Sequence, residues 1–396
     1  MKKKSARIAA LLLALVMLSC SLASCASRGT TVMTLGKTDI TGSMIEFWMS
    51  RYKAQFEYSY GQSLKSLYGL SSIDKIWTVR VKDDSAETYD DLFSSYIYDN
   101  AKTYLCALYL FDQYDLKLPD ATVKSVDKTI SDYVTNLADG SKSEFNAILA
   151  AYGINSKLLR ELYLADEKVS YLKEYLFGSN GIQPVTTQQL EDYYEKNYVR
   201  MKQVCVFINK APKLTEDGTY ATDKDGNTVY TEMTAEENAA ARAKIEEAMK
   251  KLEGGEDFEK VLSDYDENKA DDGYKNGIYM SAESAFGNDS DLQKIYEALV
   301  EMKDGEVKQL ELSNSLHIIK KYELDSGAYS KDENSDFFLF YDSGTQKYQP
   351  FAQYVKTPIF IDYIKERLDQ YSADIKIDEE ALAEYKISKV KANYNF

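Results

Sequence analysis

Histidine occurs once in the 396 residues, as His317, and cysteine four times. A zinc site needs several Cys or His ligands at close spacing, and a disulfide scaffold needs a denser set of cysteines, so both are excluded. A Ser-His-Asp hydrolase would have to use His317, which stands within an apolar strand pattern and has no G-x-S-x-G turn nearby. Asp223, Asp225 and Asn227 loosely resemble a calcium loop, but the full acidic and glycine spacing is absent, and no metal is expected. Lys plus Arg number 48 against 64 Asp plus Glu, a net charge of −16. Nucleic acid is therefore not an expected partner, because phosphate binding takes a basic footprint. No residue type here implies a cofactor.

The first 24 residues have the layout of a secretory signal. Lys2, Lys3, Lys4 and Arg7 precede an apolar run from Ile8 to Leu18, too short to span a bilayer, and small residues follow. Leu22-Ala23-Ser24-Cys25 resembles the bacterial lipobox, which makes Cys25 the expected lipidation site and first mature residue. No later segment reaches the roughly 20 apolar residues of a membrane span. The expectation is an extracytoplasmic body on a lipid anchor at the outer face of a bacterial cell membrane, with residues 25–40 as tether and short strand. Cys106 and Cys205 lie in separate apolar runs and read as buried free thiols.

Residues 41–197 read as helical. Ser43 and Glu46 have capping-box spacing ahead of a stripe of Ile45, Trp48, Met49, Tyr52 and Phe56. A second helix is expected from Ser85 to Leu116, and shorter ones follow through Phe145, Leu149, Leu158, Leu162, Leu172 and Leu176. Thr186 and Gln189 cap a helix carrying Tyr193 and Tyr194. At Val199 the pattern changes. Val204 to Ile208 is a continuous apolar run, as in a strand covered on both faces. Ala211 to Thr231 reads as a hairpin-like excursion, Thr234 with Glu237 caps a helix, and Phe258, Val261, Leu262 and Tyr265 share a helical face. A short strand at Ile278-Tyr279, a helix through Leu292, Ile295 and Leu299, and a strand from Leu316 to Tyr322 complete an α+β module over 198–324. Residues 325–396, with an aromatic run at Phe337–Tyr341 and a helix through Ile361, Ile364 and Leu368, are too few to fold alone and should pack on the first helices.

Segment by segment, these residues resemble the PrsA and SurA group of extracytoplasmic foldases. Leu190 to Asn197 is similar to the helix preceding that group's parvulin module, and Val199 to Val206 to its first strand. Gly254 to Tyr265, Asp304 to Val307 and Leu316 to Lys321 resemble later motifs in the same order, Gly273 and Gly277 its glycine turn, and Phe360 to Ile377 its C-terminal helix and tail. The resemblance implies an α+β chain. A helical SurA-like chaperone domain is completed by the C-terminal segment, with an inserted parvulin-type module of four strands flanked by helices.

The resemblance also implies site residues. Gln203 takes the place of one parvulin active-site histidine and His317 keeps the other, so these two are the catalytic candidates. Ile278, Tyr279, Leu292 and Ile295 occupy the peptide-binding pocket, where aromatic residues are usual. Rotating an X-Pro bond needs no nucleophile, because the barrier of about 18–20 kcal/mol comes from amide resonance. Gln203 can bond His317, since a carboxamide donates and accepts, but it cannot titrate. His317 remains open to two readings, a structural strand histidine or a surviving catalytic one. The functional expectation is a tethered chaperone that binds unfolded, newly exported polypeptides, with a degenerate, weak prolyl isomerase module. A fully active peptidyl-prolyl isomerase is one alternative; a solute-binding lipoprotein, which would need two α/β lobes, is another. The 33 tyrosines suit contact with varied chains. Related proteins can dimerise through the helical domain, which adds a homodimer to the expectations.

Overall fold

The computed structural model describes residues 29–82, 85–224, 226–268, 275–282, 290–342 and 346–396. Helices and small antiparallel sheets make it an α+β protein. It divides into two compact units, one running to Pro184 and resuming at Lys356–Phe396, the other Val185–Val355.

In the first unit, β1 (Thr31–Leu35) turns through Gly36 and Lys37 into β2 (Thr38–Thr41). Gly36 has φ +60°, and a two-residue hairpin turn with glycine first matches the right-handed twist of its strands. Helix α1 (Gly42–Leu67) follows without a break, its cap residue Thr41 making no side-chain capping bond. The expected Ser43–Glu46 box does not form, because Thr41 rather than Ser43 is the boundary residue and Gly42 N–H already donates to Thr30 O at 2.8 Å. Helix α2 (Tyr89–Gln113) is shorter than expected, since its start is fixed by a Thr88–Asp91 capping box and the chain leaves it at Tyr114. Helices α3 (Asp120–Ala138), α4 (Lys142–Ala150) and α5 (Ser156–Phe177) complete this part.

The second unit opens with α6 (Thr187–Asn197), capped reciprocally by Thr186 and Gln189, leading directly into β3 (Tyr198–Phe207). Strands β4 (Lys210–Pro212) and β5 (Tyr230–Glu232) pair at the base of the polar excursion. Then come α7 (Ala235–Glu253), α8 (Phe258–Tyr265), β6 (Ile278–Ser281), α9 (Ser290–Glu301), β7 (Val307–Glu311) and β8 (Ser315–Tyr322). The sheet order is β6-β3-β8-β7, antiparallel throughout. Alternate residues point to opposite faces. Val204, Val206, Leu316 and Ile318 pack on Ile245, Ala248, Phe258 and Val261, while Met201, Met280 and Ile319 pack on Ile295, Leu299 and Met302. The apolar run of β3 thus faces two cores. The hairpin β9 (Leu339–Asp342) and β10 (Lys347–Pro350) ends the unit.

The module expected at 198–324 lies within the second unit, which also takes in α6 and residues up to Val355. An aromatic cluster explains the difference. The Tyr194 ring lies 5.6–5.8 Å from those of Tyr198, Tyr329 and Phe338, and Phe338 lies 5.5 Å from Phe351.

Helix α10 (Phe351–Tyr371) contains Pro358, and from Lys356 onward the residues belong to the first unit. Lys356 Nζ donates to both carboxylate oxygens of Glu174 at 2.9 Å. Strand β11 (Lys376–Ile377) pairs antiparallel with β1, Met33 opposite Ile377. Leu382 of α11 (Glu379–Ala383), Ile387 and Val390 enter the core formed by Val32, Ile45, Met49, Trp77 and Leu105. Lys53 Nζ donates to the carbonyls of Ser388 and Val390 at 3.3 and 3.0 Å, and the Phe396 ring lies 5.5–6.1 Å from Tyr133, Phe145 and Tyr152. Residues distant in sequence thus close one core. Leu382→Ala should lower the stability of this unit by about 2–5 kcal/mol, the usual cost of emptying a buried leucine site, and reduce its urea midpoint. A midpoint unchanged from the parent chain would show that the C-terminal segment does not contribute to the core.

Candidate functional site

Strands β3 and β8 are registered with Gln203 opposite Ile319 and Cys205 opposite His317. By the period of two, all four side chains share one face, and Gln203 and His317 are diagonal neighbours. His317 Nδ1 and Gln203 Oε1 are 2.8 Å apart, and His317 Nε2 lies 2.8 Å from Ser315 Oγ. Gln203 is 8% and His317 6% exposed. The Cys205 side chain is buried, and its backbone N–H donates to Asp266 Oδ1 at 2.7 Å.

Burial disfavours the charged imidazolium and pushes the His317 pKa down to about 4, with the charge of Asp291 opposing the shift. Asp291, near the start of α9, accepts from the Ser313 N–H and hydroxyl at 3.0 Å. At neutral pH the imidazole is therefore uncharged, and its partner on β3 is a carboxamide that does not titrate. Such a pair orients dipoles and donates or accepts hydrogen bonds. It does not supply a proton donor poised near pH 7.

The remaining expected site residues divide between the two faces. Ile278 pairs with Met201 and packs into the same-face core with Ile295. Leu292, on the same helix as Ile295, is 40% exposed. Tyr279 does not join them. It pairs with Arg200, so it lies on the opposite face, buried among Tyr194, Phe337 and Phe338, with its hydroxyl donating to Asp325 at 3.3 Å. Adjacent residues of a strand face opposite ways, so Tyr279 does not share the face of Ile278, and the pairing with Arg200 sets which face each takes. Ser315 was not singled out by sequence, although its position two residues before His317 puts both on one strand face. Cys25 and Gly273 lie outside the described residues.

The first unit carries a separate aromatic feature. Trp48, Tyr52, Ile97, Ala101 and Tyr104, with the exposed Tyr96, wall a cavity of about 210 Å³. Its rings are held by packing: Trp48 meets Tyr104 edge-on at 5.1 Å, and Tyr52 lies 5.6 Å from Tyr96. The Tyr104 hydroxyl donates to Asp166 at 2.7 Å.

Among the described residues no group of three or more His, Cys, Asp or Glu side chains is placed to hold a metal ion, and no helix is long and apolar enough to cross a membrane. No family model matches the chain, and no curated protein matches it. Solved structures do align with it. PrsA from Bacillus subtilis is 20% identical, covering 74% of this chain and 91% of its own, with a TM-score of 0.22. The peptidylprolyl isomerase PrsA from Bacillus anthracis is 16% identical, covering 72% and 99%, with a TM-score of 0.26. The foldase protein PrsA from Streptococcus pneumoniae is 14% identical, covering 77% and 97%, with a TM-score of 0.21. The chain is thus similar to PrsA foldase structures along most of its length, at low identity and with low TM-scores.

Proposed function

We propose that this protein is a lipid-tethered, extracytoplasmic foldase that binds unfolded exported polypeptides, and that its second unit is a degenerate parvulin-type module with weak prolyl isomerase activity. The observation that carries this reading is the Gln203–His317 hydrogen bond on one face of a four-stranded antiparallel sheet, the face on which Ile278 also lies. A prolyl bond is rotated by holding the ring in apolar surroundings and favouring the twisted amide, each 1.4 kcal/mol or so being worth about tenfold in rate. The buried, neutral Gln203–His317 pair supports such a role. The loss of Tyr279 to the opposite face leaves Ile278, Leu292 and Ile295, aliphatic side chains that offer less contact than a ring would.

Client binding is supported by the aromatic-walled cavity of the first unit, because rigid rings contact diverse sequences at low entropic cost. The acidic balance of the whole chain favours basic client segments. The tether rests on Leu22-Ala23-Ser24-Cys25. Globomycin-sensitive processing and incorporation of labelled palmitate, both abolished by Cys25→Ala, would support it; cleavage and secretion of an unlipidated chain would contradict it.

In a refolding assay limited by prolyl isomerisation, the full chain should accelerate the slow phase by about tenfold or less, that is, within about 1.4 kcal/mol. His317→Ala and Gln203→Ala should remove the effect, while suppression of client aggregation should persist. Strong acceleration would establish a fully active isomerase; acceleration surviving both substitutions would remove Gln203 and His317 from the mechanism.

The pH dependence has a defined sign. An unfolded histidine titrates near 6.5 and the folded one near 4. The unfolded chain binds the proton first as pH falls, so the contribution is complete above pH 6.5 and is lost between about 6.5 and 4. Denaturant unfolding of the second unit should lose up to about 3 kcal/mol over that window from this residue, and His317→Gln should flatten that part of the profile. An identical profile in both chains would contradict a buried neutral imidazole.

A further inference from the structure

The negative charge of the chain is unevenly spread. Residues 185–355, the second unit, hold 35 acidic and 20 basic side chains, a net −15 against −16 for the whole chain. Part of that excess stands beside the hairpin β9–β10. Between Glu323 and Asp342 six acidic residues are balanced by Lys331 alone. The 3₁₀ turn Asp332–Phe338 leads directly into β9, and its Asp332, Glu333 and Asp336 are exposed and make no ion pair among the described residues.

The hairpin has two unlike faces. Phe340, on one of them, stacks on Tyr354 with ring centroids 3.9 Å apart and lies 6.3 Å from Phe351. That packing anchors the hairpin. The register sets Tyr341 opposite Tyr348 and Leu339 opposite Pro350, so these four share the other face by the period of two. It is open to solvent: Tyr341 is 58%, Tyr348 66% and Leu339 44% exposed. The two tyrosine rings meet edge-on at 5.4 Å, and among the described residues neither strand has a further strand on its outer side.

Charge selects the occupant of this face. Ring faces attract an ammonium or a guanidinium, and the uncompensated carboxylates of the preceding turn attract the same groups. Lysine and arginine also carry long aliphatic stems that cover apolar surface while the charged end stays in water. An anionic segment is repelled, and a second copy of the chain, which is equally acidic here, is disfavoured for the same reason.

We propose that the face of Leu339, Tyr341, Tyr348 and Pro350 is a docking surface for an extended, lysine- or arginine-bearing segment of an unfolded polypeptide, its aliphatic stems on the rings and its charged ends toward the carboxylates of Asp332, Glu333 and Asp336. The inference rests on the proposed binding of unfolded polypeptides and names the chemistry of the segment taken. It uses neither the Gln203–His317 pair nor the cavity of the first unit.

The test is a fluorescence-anisotropy titration of the full chain with a short fluorescein-labelled peptide of Lys, Leu and Ser, and with matched peptides carrying Gln or Glu at every Lys. The Lys peptide should bind at low salt at least tenfold more tightly than the Gln peptide, the Glu peptide should bind most weakly, and added salt should weaken the Lys complex. Tyr341→Ser with Tyr348→Ser leaves the charge unchanged and should weaken the Lys peptide about tenfold, the effect of losing two exposed cation–π contacts. Asp332→Asn, Glu333→Gln and Asp336→Asn together should flatten the salt dependence. Should the double tyrosine variant fail to fold, Tyr348→Ser alone and the charge variant carry the test. Equal affinity for the Lys and Gln peptides would overturn the inference. So would a Lys peptide that binds the tyrosine variant as it binds the parent, which would leave only diffuse attraction to an acidic unit. Self-association of the parent, lost in the tyrosine variant while peptide binding is kept, would assign the face to a second copy and overturn it as well. Suppression of client aggregation separates this inference from the reading beneath it: if suppression persists while the Lys peptide ignores the hairpin, client binding stands without this surface, and if the parent suppresses nothing and binds no peptide, the client reading itself fails.

Discussion

The antiparallel pairing of Tyr198–Phe207 with Ser315–Tyr322 is the constraint on which the second unit depends. Its register sets Gln203 against Ile319 and Cys205 against His317. A slip of one residue along either strand would carry Gln203 and His317 to opposite faces and turn out of their core either Val204 and Val206 or Ile318. The two apolar cores on either side hold that register. The polar pair is therefore placed by hydrophobic packing of its neighbours, and its own hydrogen bond is a consequence of that placement.

Burying a carboxamide and an imidazole is costly unless their polar atoms are matched. Here His317 Nδ1 meets Gln203 Oε1 and its Nε2 meets Ser315 Oγ. The outcome is a site with direction but without charge. That suits the proposed reaction, whose barrier lies in amide resonance and for which orientation and exclusion of water matter more than a proton donor. It also explains why Gln203 is tolerable where an ionisable residue would change the balance: a carboxylate there would draw the ring toward its charged form.

Much of this was legible because it is local. The Thr186–Gln189 and Thr234–Glu237 capping boxes form as their spacing predicts, and the unbroken run from Val204 to Ile208 marks a strand covered on both sides. Features that depend on distant partners were less legible. Strand Val307–Glu311, at the sheet edge and half-exposed, has Lys308, Gln309 and Glu311 beside only two apolar residues and no period-two alternation, and gives little apolar signal. That Ile278 and Tyr279 face opposite ways follows from the period of two, but which core each meets is set by pairing with Met201 and Arg200 across the sheet. The Ser43–Glu46 spacing is good locally but loses to the continuous passage from β2 into α1. The unit boundary at Val185 follows from ring packing around Tyr194, which joins residues far apart in the chain.

The first unit is built differently. Its C-terminal residues complete a core begun by β1 and α1, and its rings at Trp48, Tyr52, Tyr96 and Tyr104 wall a cavity. The proposed division of labour is a client cavity in one unit and handling of prolyl bonds in the other. The most direct measurement is titration of the ¹⁵N-labelled chain with a short unfolded peptide containing one Ala-Pro bond, read at the His317 imidazole. The account predicts a saturable shift of that ring, absent with the matched peptide carrying Ala-Ala. Binding of the proline peptide that leaves the His317 signals unmoved would contradict it.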